Sequence, residues 1–310
     1  MKRLLCVGVM LLLLCGAGFP GVGLGAALGA TLETEHLRVE DATGSLGPER
    51  LAALAALVEA RLVAVAEFWG VAAQTQSLGK IRVLYDAPLR GQCTATFFQP
   101  GGGGQGQGGQ NQGGLNRTVR VFGCDEAPLM LSHKLTSALM PQPDKLLRNM
   151  LGALSEDRTG AALSFPACGQ DVDDWARAAA RGGVLIPLAQ LGPDHASWGM
   201  RDEGGGRLAA FDRPRQQRAY AEAASFARYL AATYGLDALL RLQRLSHTSG
   251  ARPWREALGA DLDELEAGWL RSLRAGSTGR EEHVGRLVRI LNAGPGDPCE
   301  RARRVAGEGR

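Results

Sequence analysis

The chain changes character partway along, and that change limits the folds open to it. Residues 35–124 hold short strand-type runs around one long helical segment, and from 127 onward the apolar positions keep a helical period. "EHLRVED" (35–41) and "KIRVLYDA" (80–87) alternate and read as strands. Between them, "PERLAALAALVEARLVAVAEFWG" (48–70) puts Leu51, Leu54, Val58, Leu62, Val65 and Trp69 on one helical face and closes at Gly70. "QCTATFFQP" (92–100) and "RTVRVFGC" (117–124) read as a hairpin around a Gly/Gln-rich loop at 100–115, which has no apolar area to bury. Helices are expected over 127–140 and 144–163, along "QRAYAEAASFARYLAATYGLDALLRLQRLSH" with a break at Gly235, and over 261–275. The last has Asp261 as N-cap and Glu264 in the capping-box position. Strands first and helices after predict an α+β domain, a small N-terminal mixed sheet with a hairpin followed by a mainly helical C-terminal half. Residues 276–310 are polar and Arg/Gly-rich apart from "VGRLVRIL", and are expected as a tail with one short helix.

Residues 1–30 carry Lys2 and Arg3 ahead of an apolar run at 4–15, then small residues near 26–30, the three regions of a signal peptide. The run is shorter than the roughly 18 apolar residues of a spanning helix. The expected destination is the periplasm or the outside, with an uncleaved anchor as the alternative. Cys15 follows Leu14, where a lipobox needs a small residue. Beyond this segment lie Cys93, Cys124, Cys168 and Cys299, an even number that predicts disulfides in an exported chain. Cys93 and Cys124 stand at the outer ends of the hairpin and are the first expected pair; Cys168 and Cys299 rank second, and buried free thiols are the alternative. No CxxC spacing marks a structural zinc site. The formal net charge of +3 includes Lys2 and Arg3, and no basic stripe interleaved with aromatics suggests a nucleic-acid partner.

Residues 131–140 read "LSHKLTSALM". In a zinc peptidase helix, imidazoles at i and i+4 face one metal, and a glutamate between them takes a proton from the metal-bound water. Here His133 holds the first position, Lys134 the glutamate's and Ser137 the second imidazole's. Glu156 follows in "LGALSEDRTGAAL". The simplest reading of the helix is an amphipathic one with Leu131, Leu135, Ala138 and Leu139 in the core and His133 as a polar core residue.

Several segments, in order, resemble the exported peptidase-MA-like proteins among the gluzincin zinc peptidases. They are "EHLRV", the long helix, "IRVLYD", "LSHKLTSALM", "LSEDRTGA", "YAEAASFARYLAATYGLDALLRLQRL" and "ALGADLDELEAGWLRSL". The resemblance implies a zincin-like domain over 31–275, with His133 at the first zinc-ligand position and Glu156 at the third. Asp157 stands where the family has glycine. An ammonium at 134 cannot accept the water proton, and losing a general base costs about 10²–10⁴ in rate. Two protein donors remain where catalytic zinc takes three. The implied protein is a non-catalytic pseudopeptidase with no cofactor and no catalytic residue, His133 and Glu156 being vestigial metal positions. Its cleft is expected to take a protein or peptide, with strand addition as one mode, and no membrane contact beyond the signal segment. Glu156, without a metal, is expected to pair with Lys134 or His133. The alternative is a residual zinc metallopeptidase in which Asp157, His195 or His247 substitutes for the missing groups. A third reading is a helical adaptor working through 216–275. His36 and His283 carry no signal.

Overall fold

α1 (Pro48–Phe68) sets the order of the sheet. Pro48 opens it, where a missing N–H costs nothing, and the chain leaves it through Gly70 at φ 65°. Its expected face, Leu51 through Trp69, is buried. A helical crossover of this kind joins parallel strands. β2 (Leu37–Asp41) and β3 (Ile81–Asp86) accordingly pair in parallel, from Leu37↔Ile81 to Asp41↔Tyr85. β1 (Thr31–Glu33) lies antiparallel on β2. β4 (Thr94–Phe98) and β5 (Thr118–Phe122) form the expected hairpin, from Thr94↔Phe122 to Phe98↔Thr118, and β5 runs parallel to β3. The result is a five-stranded mixed sheet in the order β1-β2-β3-β5-β4, with β4 at an edge among the described strands. Period-2 alternation decides the faces. Leu37, Val39, Ile81, Val83, Tyr85, Val119 and Val121 are buried with the α1 stripe in one core. On the other face Glu40 pairs with Arg82, and Asp86 with Arg120, across neighbouring strands.

The computed structural model describes residues 30–72, 79–86, 94–98, 117–122, 130–203 and 208–308. The signal-type segment, the Gly/Gln-rich loop and the Cys93–Cys124 pair lie outside the described residues. After the sheet come α2 (Leu131–Leu139), α3 (Lys145–Thr159), α4 (Val172–Arg181), α5 (Arg213–Tyr234) and α6 (Leu236–Ser249). α7 (Trp254–Leu258), α8 (Leu262–Ala275), α9 (Glu281–Asn292) and α10 (Pro298–Glu308) follow. A small hairpin, β6 (Met200–Asp202) with β7 (Leu208–Ala210), precedes α5. Gly235, at φ 82°, separates α5 from α6 at the expected break, and Asp261 with Glu264 forms the expected capping box of α8. No described helix is long and apolar enough to cross a membrane.

Residues 276–310 differ from the tail expected of them. α9 buries Val284, Leu287 and Leu291 in a core shared with Trp175, Ala178 and Ala179 of α4. Cys299, at the start of α10, is disulfide-bonded to Cys168, with Cα atoms 5.4 Å apart. The second-ranked cysteine pair is therefore the bonded pair among the described residues. The segment's few apolar residues suffice because a disulfide closing a loop of this length removes much of the unfolded chain's freedom.

Candidate functional site

α2 begins without a capping side chain. Met130 takes the left-handed conformation (φ 66°) and offers no acceptor to the first N–H groups of the helix. The acceptor comes from α3: Glu156 Oε2 takes the His133 backbone N–H at 3.1 Å. The Ser132 N–H and the Ser164 hydroxyl are directed at the same carboxyl. Glu156 is 4% exposed, and burial pushes its pKa up against the lowering effect of those donors and of Arg61. A Cβ at Gly160 would sit 2.4 Å from Glu156 Oε1, so only glycine leaves the carboxyl its place.

His133 is 1% exposed, and its ring rests on α3 at Gly152, where a Cβ would lie 2.6 Å from the imidazole Cγ. The Tyr220 ring of α5 tilts against it at 5.8 Å between centroids. Burial first, then the charges of Lys134 and Arg148, push the His133 pKa well down, so the ring is neutral. The buried Asn149 carboxamide lies against the ring and the Tyr220 hydroxyl, but neither His133 Nδ1 nor Asn149 Nδ2 makes a well-formed hydrogen bond. Ser137, one turn further along α2, gives its hydroxyl proton to the His133 carbonyl at 3.1 Å, the usual back-bond of a serine inside a helix. Lys134 is half-buried. Burial and then Arg148 push its pKa down to about 8, against the attraction of Glu156. The Lys134 ammonium makes no hydrogen bond or ion pair among the described residues; the backbone N–H of the residue donates to the Met130 carbonyl at 3.1 Å.

The remaining sequence candidates are scattered. Asp157 accepts from Arg228 Nη2 at 2.7 Å, and the same guanidinium reaches Asp171 at 2.8 Å and Asp173 at 3.2 Å. His195 Nδ1 lies 2.6 Å from Lys145 Nζ, which also donates to the Asp194 carbonyl at 3.1 Å. Lys145 is 3% exposed, and burial first, then Arg148, push its pKa down to about 7. His247 is exposed on α6. His36 is paired with Glu59, and His283 lies 3.7 Å from Asp174. The structure thus brings His133 and Glu156 together, but through the His133 main chain, and it brings neither Asp157, His195 nor His247 into their contact. Glu156 makes no ion pair with Lys134, contrary to one of the pairings expected.

These residues do not fit a zinc ion. The Glu156 carboxyl is occupied by backbone N–H groups, the Ser137 hydroxyl by a carbonyl, and the next side chain along from His133 is a cation. Among the described residues no three His, Cys, Asp or Glu side chains converge as a metal site. What converges is positive charge. Lys134 on α2 and Lys145 and Arg148 on α3 repel one another, and none of the three is in an ion pair among the described residues. Arg148 spends one N–H on the Gln142 carbonyl at 3.1 Å. Sequence reasoning missed Lys145, Arg148, Asn149 and Gly152. The signal was their spacing: 145, 148, 149, 152 and 156 fall on one side of a single helix.

A cavity of about 510 Å³ opens elsewhere, between α4, α8 and α9. It shares no lining residue with the α2–α3 pair. No family model, no curated protein and no solved structure matches this chain.

Proposed function

We propose that the chain is an exported, non-catalytic protein on a zincin-like frame of the gluzincin type, whose cleft beside the α2–α3 pair binds a protein or peptide instead of cutting it. The observation that carries this reading is the meeting of positions 133 and 156. A zincin frame needs its first and third ligand positions on two packed helices, and His133 and Glu156 meet in that way, across α2 and α3. The chemistry there is different. Glu156 caps α2, Ser137 turns back on its own helix, and Lys134 holds the position of the general base. β4, which packs beside α2, is an edge strand among the described residues, the kind of element to which an extended segment adds.

Zinc content tests the reading. The purified protein should carry far less than one zinc, and the double variant Lys134→Glu with Ser137→His should gain zinc when Glu156 turns from the α2 N–H groups to the metal. Stoichiometric zinc in the unaltered protein, lost in His133→Ala, contradicts the proposal.

A further inference from the structure

The geometry points to an oxyanion site at the α2–α3 pair, in which half-buried Lys134 and Arg148 and buried Lys145, Asn149 and His133 receive a carboxylate or phosphate-type group. It deepens the reading of this cleft as a binding site and rests on that part of it, but not on descent from a peptidase.

Charge and hydrogen bonding support the inference separately. A cation removed from water needs a counter-charge or it loses its proton. Lys145 is buried and Lys134 and Arg148 are half-buried, yet the nearby acids are committed elsewhere. Asp144 caps α3 and pairs with Arg252, Asp194 is held by Ser197, and Glu156 is turned to the start of α2. Independently, His133 Nδ1 and Asn149 Nδ2, on side chains more than nine-tenths buried, make no well-formed hydrogen bond, although the Asn149 carboxamide lies against the imidazole. Buried polar atoms almost always have one, and an orphan calls for an explanation. Asn149 Nδ2 is a donor, and the neutral His133 ring can present an N–H at Nδ1 in one tautomer. Two donors and three cations, carried by two packed helices, make a set that an oxyanion completes and a metal cation does not.

Calorimetric titration with inorganic phosphate and with acetate tests this. Each should bind at one per chain, and Lys134→Ala or Arg148→Ala should weaken binding about 10-fold, the scale of one charge-assisted hydrogen bond. His247→Ala, on an exposed face, should bind as the unaltered protein does. Neither test position is in an ion pair, and Arg148 loses one hydrogen bond, to the Gln142 carbonyl, so urea midpoints of both variants are read alongside to show that the fold is kept. A phosphoserine peptide and a peptide with a free C-terminal carboxylate, each beside its uncharged counterpart, separate the two sources of the group. Absence of binding by both small anions, or binding unchanged in both variants, overturns the proposal. Anion binding in a protein whose double variant Lys134→Glu/Ser137→His gains no zinc keeps the oxyanion site and removes the zincin frame.

The cavity between α4, α8 and α9 carries a second, independent inference: we infer that it takes an amphipathic carboxylate such as a fatty acid. Its volume, about 510 Å³, is in the range of small-molecule sites. Leu185, Leu270, Leu273 and Val284 supply apolar wall; of the charged groups at the lining, Arg177 is paired with Asp174 and Glu281 is an acid, while the Arg181 and Arg274 guanidiniums have no carboxylate partner among the described residues. Dodecanoate should bind more tightly than dodecanol, Leu273→Trp should abolish binding by filling the space, and exposed Arg274→Glu should weaken dodecanoate alone. No binding of dodecanoate, or binding indifferent to both substitutions, overturns this inference.

Discussion

Two polar clusters flank α3, and they treat buried charge in opposite ways. Arg228 stands among Asp157, Asp171 and Asp173, which raise its pKa, and Asp173 also accepts from Ser225, itself the acceptor for the Trp269 indole N–H. Every charge there has an opposite charge beside it, although Arg228 Nε makes no hydrogen bond, and the cluster joins α3, α4, α5 and α8. Lys134, Lys145 and Arg148 share no carboxylate, burial and then Arg148 lower the proton affinity of both lysines, and His133 Nδ1 and Asn149 Nδ2 beside them make no well-formed hydrogen bond. A saturated cluster is what a fold uses to hold itself together, and an unsaturated one is what it keeps for something that arrives.

Removing a charge from the saturated cluster should have the largest effect. Arg228→Met leaves three carboxylates facing one another and should destabilise the protein by about 3 kcal/mol in urea denaturation. A loss below about 1 kcal/mol would mean that solvent already screens the cluster, and the comparison breaks.

Much of the fold was legible because its signals are local. The α1 stripe, the hairpin, the break at Gly235 and the Asp261–Glu264 box each depend on residues a few positions apart. The one short helix expected at "VGRLVRIL" is α9, but its docking and α10 were not legible, because Val284, Leu287, Leu291 and Ala302 are sparse within a polar stretch and pack against residues more than 100 positions away, beside a disulfide spanning 131 positions. In the candidate site, His133 and Glu156 could be named from the motif, but the capping role of Glu156 could not. It follows from Met130, whose left-handed backbone leaves α2 without a local cap, and nothing in the sequence marks a methionine for that conformation. Lys145 against His195 is likewise a contact across 50 residues.

The next largest effect sharpens the packing of the unsaturated cluster. Gly152→Ala drives a methyl into the His133 ring and should cost about 2 kcal/mol. Because the clash is with that ring, the substitution should cost less in a His133→Ala background, and a double-mutant cycle measures the difference. Glu156→Ala removes the remote cap of α2 and should cost about 1 kcal/mol, with Glu156→Gln recovering part of it through its carbonyl oxygen. An equal loss in both variants would show that the carboxyl acts through charge and not as an acceptor.

The smallest expected effect is a gain with a pH signature. Lys145 is held near pKa 7, below an unfolded value of about 10.4. Arg148 and Lys134 face it as repelling charges, and Asp194 and His195 lie on its other side. Between those two pH values the unfolded chain binds more protons, so stability rises with pH there. The cost of the buried ammonium is thus full below about pH 7 and fades toward pH 10. Lys145→Met should stabilise by about 1 kcal/mol at pH 6, with no gain left at pH 10. A gain independent of pH would mean that the change acts through packing.

The most direct test of the central claim is urea denaturation of the unaltered protein in three parallel samples of equal ionic strength, with chloride, phosphate or zinc chloride. A ligand that binds only the folded state stabilises it by RT ln(1 + L/Kd), with L its free concentration. The account predicts that phosphate raises the midpoint above that in chloride, that zinc leaves it unchanged, and that Lys134→Ala removes most of the phosphate effect. A midpoint raised by zinc and lost in His133→Ala, with phosphate giving no rise, would contradict it.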